Sequence, residues 1–341
     1  MTLPSVLFMV SILSFILAIL VGFGVLCWSA NRLVEVASTL AFRLGMSVLT
    51  IGVTVVAFGT SAPELVVSSV AAFNGSGGIA IGNVVGSNIA NIGLILSIGG
   101  LIAPLMINAR VVYRELLILL VCTIAAAFML ADGTLTPIDG MIFTAAFLAY
   151  AVYLLKSSSG GSDEQDVPVL PISTARAAIE AVAMLLLLVL GSQLLVWGAK
   201  GVALAMGVNE LIVGLTVVAL GTSLPELAAV VISARKGLHD MTAATVIGSN
   251  IFNILAVLGL SGLLGGPIAV DSDSLHIDML VMVGITVLLV AVIYSSKTLV
   301  RQAGGKGGVQ SVAIWKVAPY KCAMLLAAFF AYITWLVIST L

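Results

Sequence analysis

The chain has 341 residues, of which 61% are hydrophobic and only 9% charged, with a net charge of −1. Soluble domains hold about 45–50% apolar residues, so this composition excludes an ordinary soluble domain and defines an integral membrane protein. The absence of a basic cluster argues against nucleic acid as a partner, and Cys27, Cys122 and Cys322, odd in number and far apart in apolar segments, form neither a disulfide framework nor a zinc set.

The apolar run from Val6 to Trp28 lacks a positive leader and is longer than a signal-peptide core, so it reads as a retained first span. A span needs about 20 apolar residues, and on that scale ten segments qualify: 6–30, 46–72, 79–105, 112–131, 138–155, 177–200, 208–234, 241–265, 278–296 and 320–340. The longest polar interruptions, Lys156 to Arg176 and Lys297 to Lys316, are rich in Gly and Ser and read as flexible surface loops. The first of them divides the chain into a repeat at 1–155, a linker at 156–176 and a second repeat at 177–341, each repeat with five spans.

With ten spans, thirteen of the 14 Lys and Arg residues fall on one face, and only Lys200 on the other. The positive-inside rule then makes the 156–176 loop cytoplasmic and both termini extracytoplasmic. An odd number of spans per repeat inverts the second half relative to the first. The expected fold is an all-α membrane protein of two inverted five-helix repeats, an architecture many secondary transporters use to build a midplane site from discontinuous helices.

The duplication is visible in the residues. Gly59-Thr60-Ser61-Ala62-Pro63-Glu64 returns as Gly221-Thr222-Ser223-Leu224-Pro225-Glu226, and Gly86-Ser87-Asn88-Ile89-Ala90-Asn91 returns at the same spacing as Gly248-Ser249-Asn250-Ile251-Phe252-Asn253. Pro63 and Pro225 each remove a backbone donor and displace the carbonyl four residues back, at Gly59 and Gly221. That loosens the turn and offers freed carbonyls, including those of Ala57 and Ala219, as cation ligands.

Glu64 and Glu226 lie in mid-span, where an ionised carboxylate costs at least about 2.5–3.5 kcal/mol. Spans two, three, seven and eight place no Lys, Arg or His at comparable depth, so the counter-charge must come from metal ions or protons. Thr60 and Ser61 share a helical face with Glu64, as Thr222 and Ser223 do with Glu226; Ser87 with Asn91 and Ser249 with Asn253 are four apart. This all-oxygen set suits hard cations such as Ca²⁺, and its lack of His and Cys argues against zinc or copper.

Other polar residues have plainer readings. Ser68 and Thr54 are expected to bond back to their own helical turn, and Asn88 and Asn250 to bond helix to helix. Gly82 and Gly86 fit a helix-packing motif. Asp132, Asp139, Asp271, Asp273 and Asp278 read as solvated residues at the extracytoplasmic ends, and His239 and His276 as loop neighbours without catalytic roles. No nucleophile-and-base arrangement or phosphate-binding loop is present, so the chain does not read as an enzyme.

At the two Gly-Thr-Ser-x-Pro-Glu and Gly-Ser-Asn-Ile-x-Asn pairs the chain resembles the calcium/cation antiporter superfamily, and most closely its prokaryotic sodium/calcium exchanger branch. The resemblance implies sodium-for-calcium antiport by alternating access, with Ca²⁺ and Na⁺ as transported substrates and no cofactor. It also implies that Glu64 and Glu226 are the shared central carboxylates and that Thr60, Ser61, Ala57, Ser87, Asn91, Thr222, Ser223, Ala219, Ser249 and Asn253 supply the remaining oxygens. Long first and sixth spans that slide against the core are a further family expectation, as is residence in a prokaryotic cytoplasmic membrane. Where some relatives carry Asp, this chain has Asn253, which removes one handle for a proton or potassium. Calcium/proton exchange and a passive cation channel remain as alternatives, and the oligomeric state is not encoded.

Overall fold

The computed structural model describes residues 3–109, 111–157, 169–206, 219–269, 272–303 and 309–340. The linker residues 158–168, the first part of the seventh span at 208–218, and Asp271 lie outside the described residues.

The chain begins with one long helix, α1 (Leu3–Leu44), well beyond the expected end at residue 30. A broken second span follows, made of α2 (Leu49–Thr60) and α3 (Ala62–Phe73), which meet at an angle of 45°. The first half continues with α4 (Gly77–Ile102), strand β1 (Leu105–Ile107), α5 (Val111–Met129), β2 (Thr134–Leu135) and α6 (Pro137–Ser157). The second half repeats the order: α7 (Thr174–Ala205), a short α8 (Ala219–Thr222), α9 (Leu224–Arg235), α10 (His239–Gly265), β3 (Ile268–Ala269) and α11 (Ser272–Tyr294). Strands β4 (Lys297–Ala303) and β5 (Val309–Val317) then precede α12 (Pro319–Thr340). Among the described residues eight helices are long and apolar enough to cross a membrane, and the bent α2–α3 pair makes a ninth. With the seventh span, described from Ala219 onward, the architecture is ten helices in two inverted repeats.

Contacts across the pseudo-two-fold axis are reciprocal. A Cβ on Gly22 would meet the Leu195 amide nitrogen at 2.6 Å, and one on Gly191 would meet that of Leu26 at 2.9 Å, so α1 and α7 cross backbone to backbone where only glycine fits. Leu105 pairs with Val317 on one face of the molecule and Leu135 with Ile268 on the other. Tyr150 Oη donates to buried Glu115 Oε2 at 2.7 Å between α5 and α6; Tyr332 Oη donates to Asp278 Oδ1 at 2.8 Å between α11 and α12.

α4 and α10 sit at the centre. In their most apolar windows 72% and 89% of residues are buried in protein, against 17% for α1, whose apolar surface is left for lipid. Two apolar clusters result: a large one uniting α4, α5, α6, α10, α11 and α12, and a second formed where α1 and α7 lie on α2 and α9.

The segment 297–316 departs from the flexible-loop expectation. β4 and β5 form an antiparallel hairpin from Lys297↔Trp315 to Ala303↔Val309, and β5 also pairs with β1. The alternation in Val309-Gln-Ser-Val-Ala-Ile-Trp-Lys-Val supplies the strand: Trp315 and Val317 are buried and Lys316 between them is exposed. The Gly-rich run falls between the strands, at 304–308, outside the described residues.

Gly82 and Gly86 do not form the expected packing motif, since a Cβ at either would touch nothing within 4 Å. Closely packed glycines lie elsewhere. A Cβ on Gly140 would lie under 3 Å from the backbone of Gly259 and Leu263, so glycine there lets α6 pack closely on α10.

Candidate functional site

Both Gly-Thr-Ser-x-Pro-Glu copies break their helix at the same residue. Ser61 (φ −83°, ψ 10°) and Ser223 (φ −90°, ψ 5°) leave the helical region, and the following helix opens with Pro63 or Pro225 in its first turn, where a missing N–H is tolerated. Glu64 and Glu226 therefore stand in the first turn of α3 and α9, at the positive end of each helix dipole. Sequence spacing places Thr60, Ser61 and Glu64 on one continuous face; the break turns Ser61 away from its own glutamate.

The serines cross over instead. Ser61 Oγ donates to Glu226 Oε1 at 2.7 Å, and Ser223 Oγ donates to Glu64 Oε1 at 3.3 Å. Each carboxylate is thus held by the other half of the chain, and the two copies form one site. Glu64 and Glu226 are 1% and 0% exposed, and the second oxygen of each, Oε2, has no hydrogen-bond partner among the described residues. Among the described residues the ion pairs link Arg32, Glu35, Arg176, Glu180 and Lys236; none reaches Glu64 or Glu226.

α4 and α10 contribute an asparagine quartet. Asn91 Nδ2 donates to Asn250 Oδ1 at 2.9 Å, Asn250 Nδ2 to the Asn88 carbonyl at 3.3 Å, and Asn253 Nδ2 to Asn88 Oδ1 at 3.3 Å. Asn88 and Asn250 do bond helix to helix, and they orient the two outer asparagines. Asn91 Oδ1 and Asn253 Oδ1 are left buried without a partner among the described residues. Each of these residues also opens a π-helical run, Asn91–Leu96 and Asn253–Leu258, a local widening that recurs at functional sites. Four buried oxygens, two carboxylate and two amide, therefore lack donors in one region, where an unpartnered polar atom is costly.

The other expected oxygens are placed as follows. Thr60 Oγ1 donates to the Ala57 carbonyl at 3.2 Å and Ser249 Oγ to the same carbonyl at 3.4 Å. The Ser61 amide bonds it too, at 3.1 Å, so the Ala57 carbonyl is not freed by Pro63 as the sequence suggested. Ser87 is buried on α4 one turn from Asn91, and Thr222 is buried at the end of α8. Ala219 begins α8. Thr54 bonds back to the Thr50 carbonyl as expected, but Ser68 instead reaches across to the Ala80 carbonyl at 3.2 Å and receives Asn83 Nδ2 at 2.9 Å. Two residues beside the site lie outside the repeated motifs: Asn83, which also approaches the Glu64 carbonyl at 3.4 Å, and Ser192 on α7, which donates to the Gly221 carbonyl at 2.7 Å. Asn83 has a signal in the sequence, lying one helical turn before Ser87; Ser192 has none.

Two inverted repeats meeting at paired helix breaks, inside a bundle whose outer helices face lipid, define a multi-pass membrane protein of the inverted-repeat transporter class. The chain belongs to the sodium/calcium exchanger protein family, whose model matches residues 14–156 and 177–338, and that family consists of exchangers rather than catalytic enzymes. The CaxA protein of Alkalimonas amylolytica is 40% identical over 280 residues, covering 80% of this chain and 87% of its own length. Sodium/calcium exchanger MaX1 of Methanosarcina acetivorans is 31% identical over 340 residues, 84% of this chain and 93% of that protein. The solved structure of the sodium-calcium exchanger NCX_Mj, soaked with zero Na⁺ and Ca²⁺, superposes with a TM-score of 0.80 at 28% identity, covering 95% of this chain and 99% of the other.

Proposed function

We propose that this protein exchanges sodium for calcium by alternating access at a site built on Glu64 and Glu226. The carrying observation is the pair of crossed, buried carboxylates, each with one unpartnered oxygen and neither with a counter-charge among the described residues. Thr60, Ser61, Ser87 and Asn91, with Thr222, Ser223, Ser249, Asn253 and the Ala219 carbonyl, complete an oxygen cage of the kind Ca²⁺ accepts, with 6–8 ligands in flexible geometry; the Ala57 carbonyl joins it only once Thr60 and Ser249 turn their hydroxyls away. One Ca²⁺ neutralises the pair. Three Na⁺ leave about one excess positive charge, so a three-for-one exchange is electrogenic. Empty, two like charges facing each other in a low-dielectric site disfavour switching, which couples the two fluxes.

The names of MaX1 and NCX_Mj as sodium/calcium exchangers support the same reading. The chain divides into repeats at 1–155 and 177–341 joined by a cytoplasmic linker at 156–176, with both termini extracytoplasmic in a prokaryotic cytoplasmic membrane. The concentration of Lys and Arg on one face is the support for that orientation.

The test is radioactive calcium uptake into proteoliposomes loaded with sodium, or with choline as control, with pH and voltage clamped by ionophores. Uptake that depends on internal sodium is the expected result. Uptake that ignores sodium and follows an imposed pH gradient assigns calcium/proton exchange, and uptake needing neither assigns a channel.

A further inference from the structure

Pro225 has no amide hydrogen, so the Gly221 carbonyl loses its helical donor and, being buried, requires another. Ser192 supplies it from a different span. Its hydroxyl, on a residue 1% exposed in the middle of α7, donates to this carbonyl at 2.7 Å. Four residues on, Val196 fills the space beside Gly221: a Cβ there would lie 2.2 Å from Val196 Cγ2. α7 therefore grips the seventh-span break by a hydrogen bond and a steric contact together.

Among the described residues the first half has no counterpart to this bond. The reciprocal Gly22–Leu195 and Gly191–Leu26 contacts align Gly22 with Gly191, so the residue standing where Ser192 stands is Phe23 of α1, which has no hydroxyl and is exposed. The Gly59 carbonyl accepts a backbone N–H at the end of α2 instead, although the space beside Gly59 is filled from α7 as well: a Cβ there would lie 2.5 Å from the methyl groups of Leu185. One proline-released carbonyl is thus tied by a donor on a helix that is itself packed chiefly on α1, in the second apolar cluster and outside the large one.

We propose that Ser192 is a positioning residue of the exchange cycle, tying α7 to the seventh-span helix break in one access state and releasing the Gly221 carbonyl in the other. The inference rests on the antiport reading above. A shift of α7 along the core by one helical turn, about 5.4 Å, carries the hydroxyl out of reach. The bond then stabilises this state alone, and its loss shifts the balance between states and with it the apparent cation affinities.

The experiment measures turnover and the half-saturating sodium concentration on each face, in membrane vesicles of defined orientation, for wild type, Ser192→Ala, Ser192→Thr and Glu226→Gln. Removing one buried hydrogen bond should change the ratio of the two half-saturations about five-fold in Ser192→Ala, and the retained hydroxyl of Ser192→Thr should restore it. If Ser192→Ala inserts too poorly to assay, Ser192→Cys, similar in size and a weak donor, should show a partial shift. Wild-type values on both faces in Ser192→Ala, or a lowered thermal midpoint with both half-saturations unchanged, overturn the inference. Exchange by Glu226→Gln instead overturns the site reading and the inference with it.

Discussion

The two halves of the molecule are most alike at its centre and least alike at its faces. Around the midplane three features have their inverse: the crossed serines on the two glutamates, the asparagines opening π-helical runs, and the glycines at the α1–α7 crossing. At the face bearing most of the Lys and Arg, by contrast, the second half adds the β4–β5 hairpin, whereas the opposite face has, among the described residues, only the two-residue pairing of β2 with β3. The ion-pair network joining Arg32, Glu35, Glu180 and Lys236 likewise has no inverse among the described residues. A duplicated chain keeps symmetry where both copies must serve one site and loses it where each copy meets a different solvent.

The site itself is unequal in detail. Ser61 holds Glu226 at 2.7 Å while Ser223 stands 3.3 Å from Glu64, and among the described residues only the Gly221 break is tied to α7 by a hydroxyl. On the alternating-access mechanism proposed above, a single conformation must break its own symmetry, because exchanging the roles of the halves exchanges the open face.

The strongest test of the central symmetry is to remove either carboxylate charge. Glu64→Gln and Glu226→Gln should each abolish sodium-dependent calcium uptake in proteoliposomes while the protein still inserts; transport by either one would overturn a site built on both carboxylates. Next in size is the crossing of α1 and α7. Gly22→Val and Gly191→Val each drive a side chain into backbone at under 3 Å, and both should lower the thermal midpoint of the purified protein sharply, by several degrees or more.

A smaller and more selective change is Asn253→Asp, which makes the two asparagine positions chemically unequal. It should alter the pH, sodium or potassium dependence of uptake, and an unchanged profile counts against Asn253 as a ligand. Smallest are the tyrosine pairs. Tyr150→Phe leaves Glu115, 2% exposed, without one donor and should cost about 1–3 kcal/mol. Tyr332→Phe acts on half-buried Asp278, where water can replace the phenol, and should cost less. Equal losses of thermal stability would show that the two faces are equally dry.

Several of these features are legible in the sequence because they depend on local residue order. Span positions follow from apolar runs, the inverted repeat from an odd span count and a repeated motif, and the helix breaks from Pro63 and Pro225. The hairpin is hidden because the Gly-Gly-Lys-Gly-Gly run has the composition of a flexible loop and interrupts the strand alternation beside it. Helical spacing pairs Ser61 with the wrong glutamate because that spacing holds only while the helix is continuous, and the helix ends at that serine.

By itself the sequence determined that this chain spans a membrane, that its halves are inverted copies, and that each copy brings one carboxylate without a counter-charge into the apolar layer. Hydropathy and backbone chemistry act over a few residues and leave a readable pattern. Only the tertiary structure decided which atoms face one another: that the serines cross, that Asn88 and Asn250 set the orientation of Asn91 and Asn253, and that Ser192, in an unremarkable apolar run, closes the Gly221 carbonyl. Those contacts join residues far apart in the chain, and their partners are fixed by how helices cross, which no local pattern records.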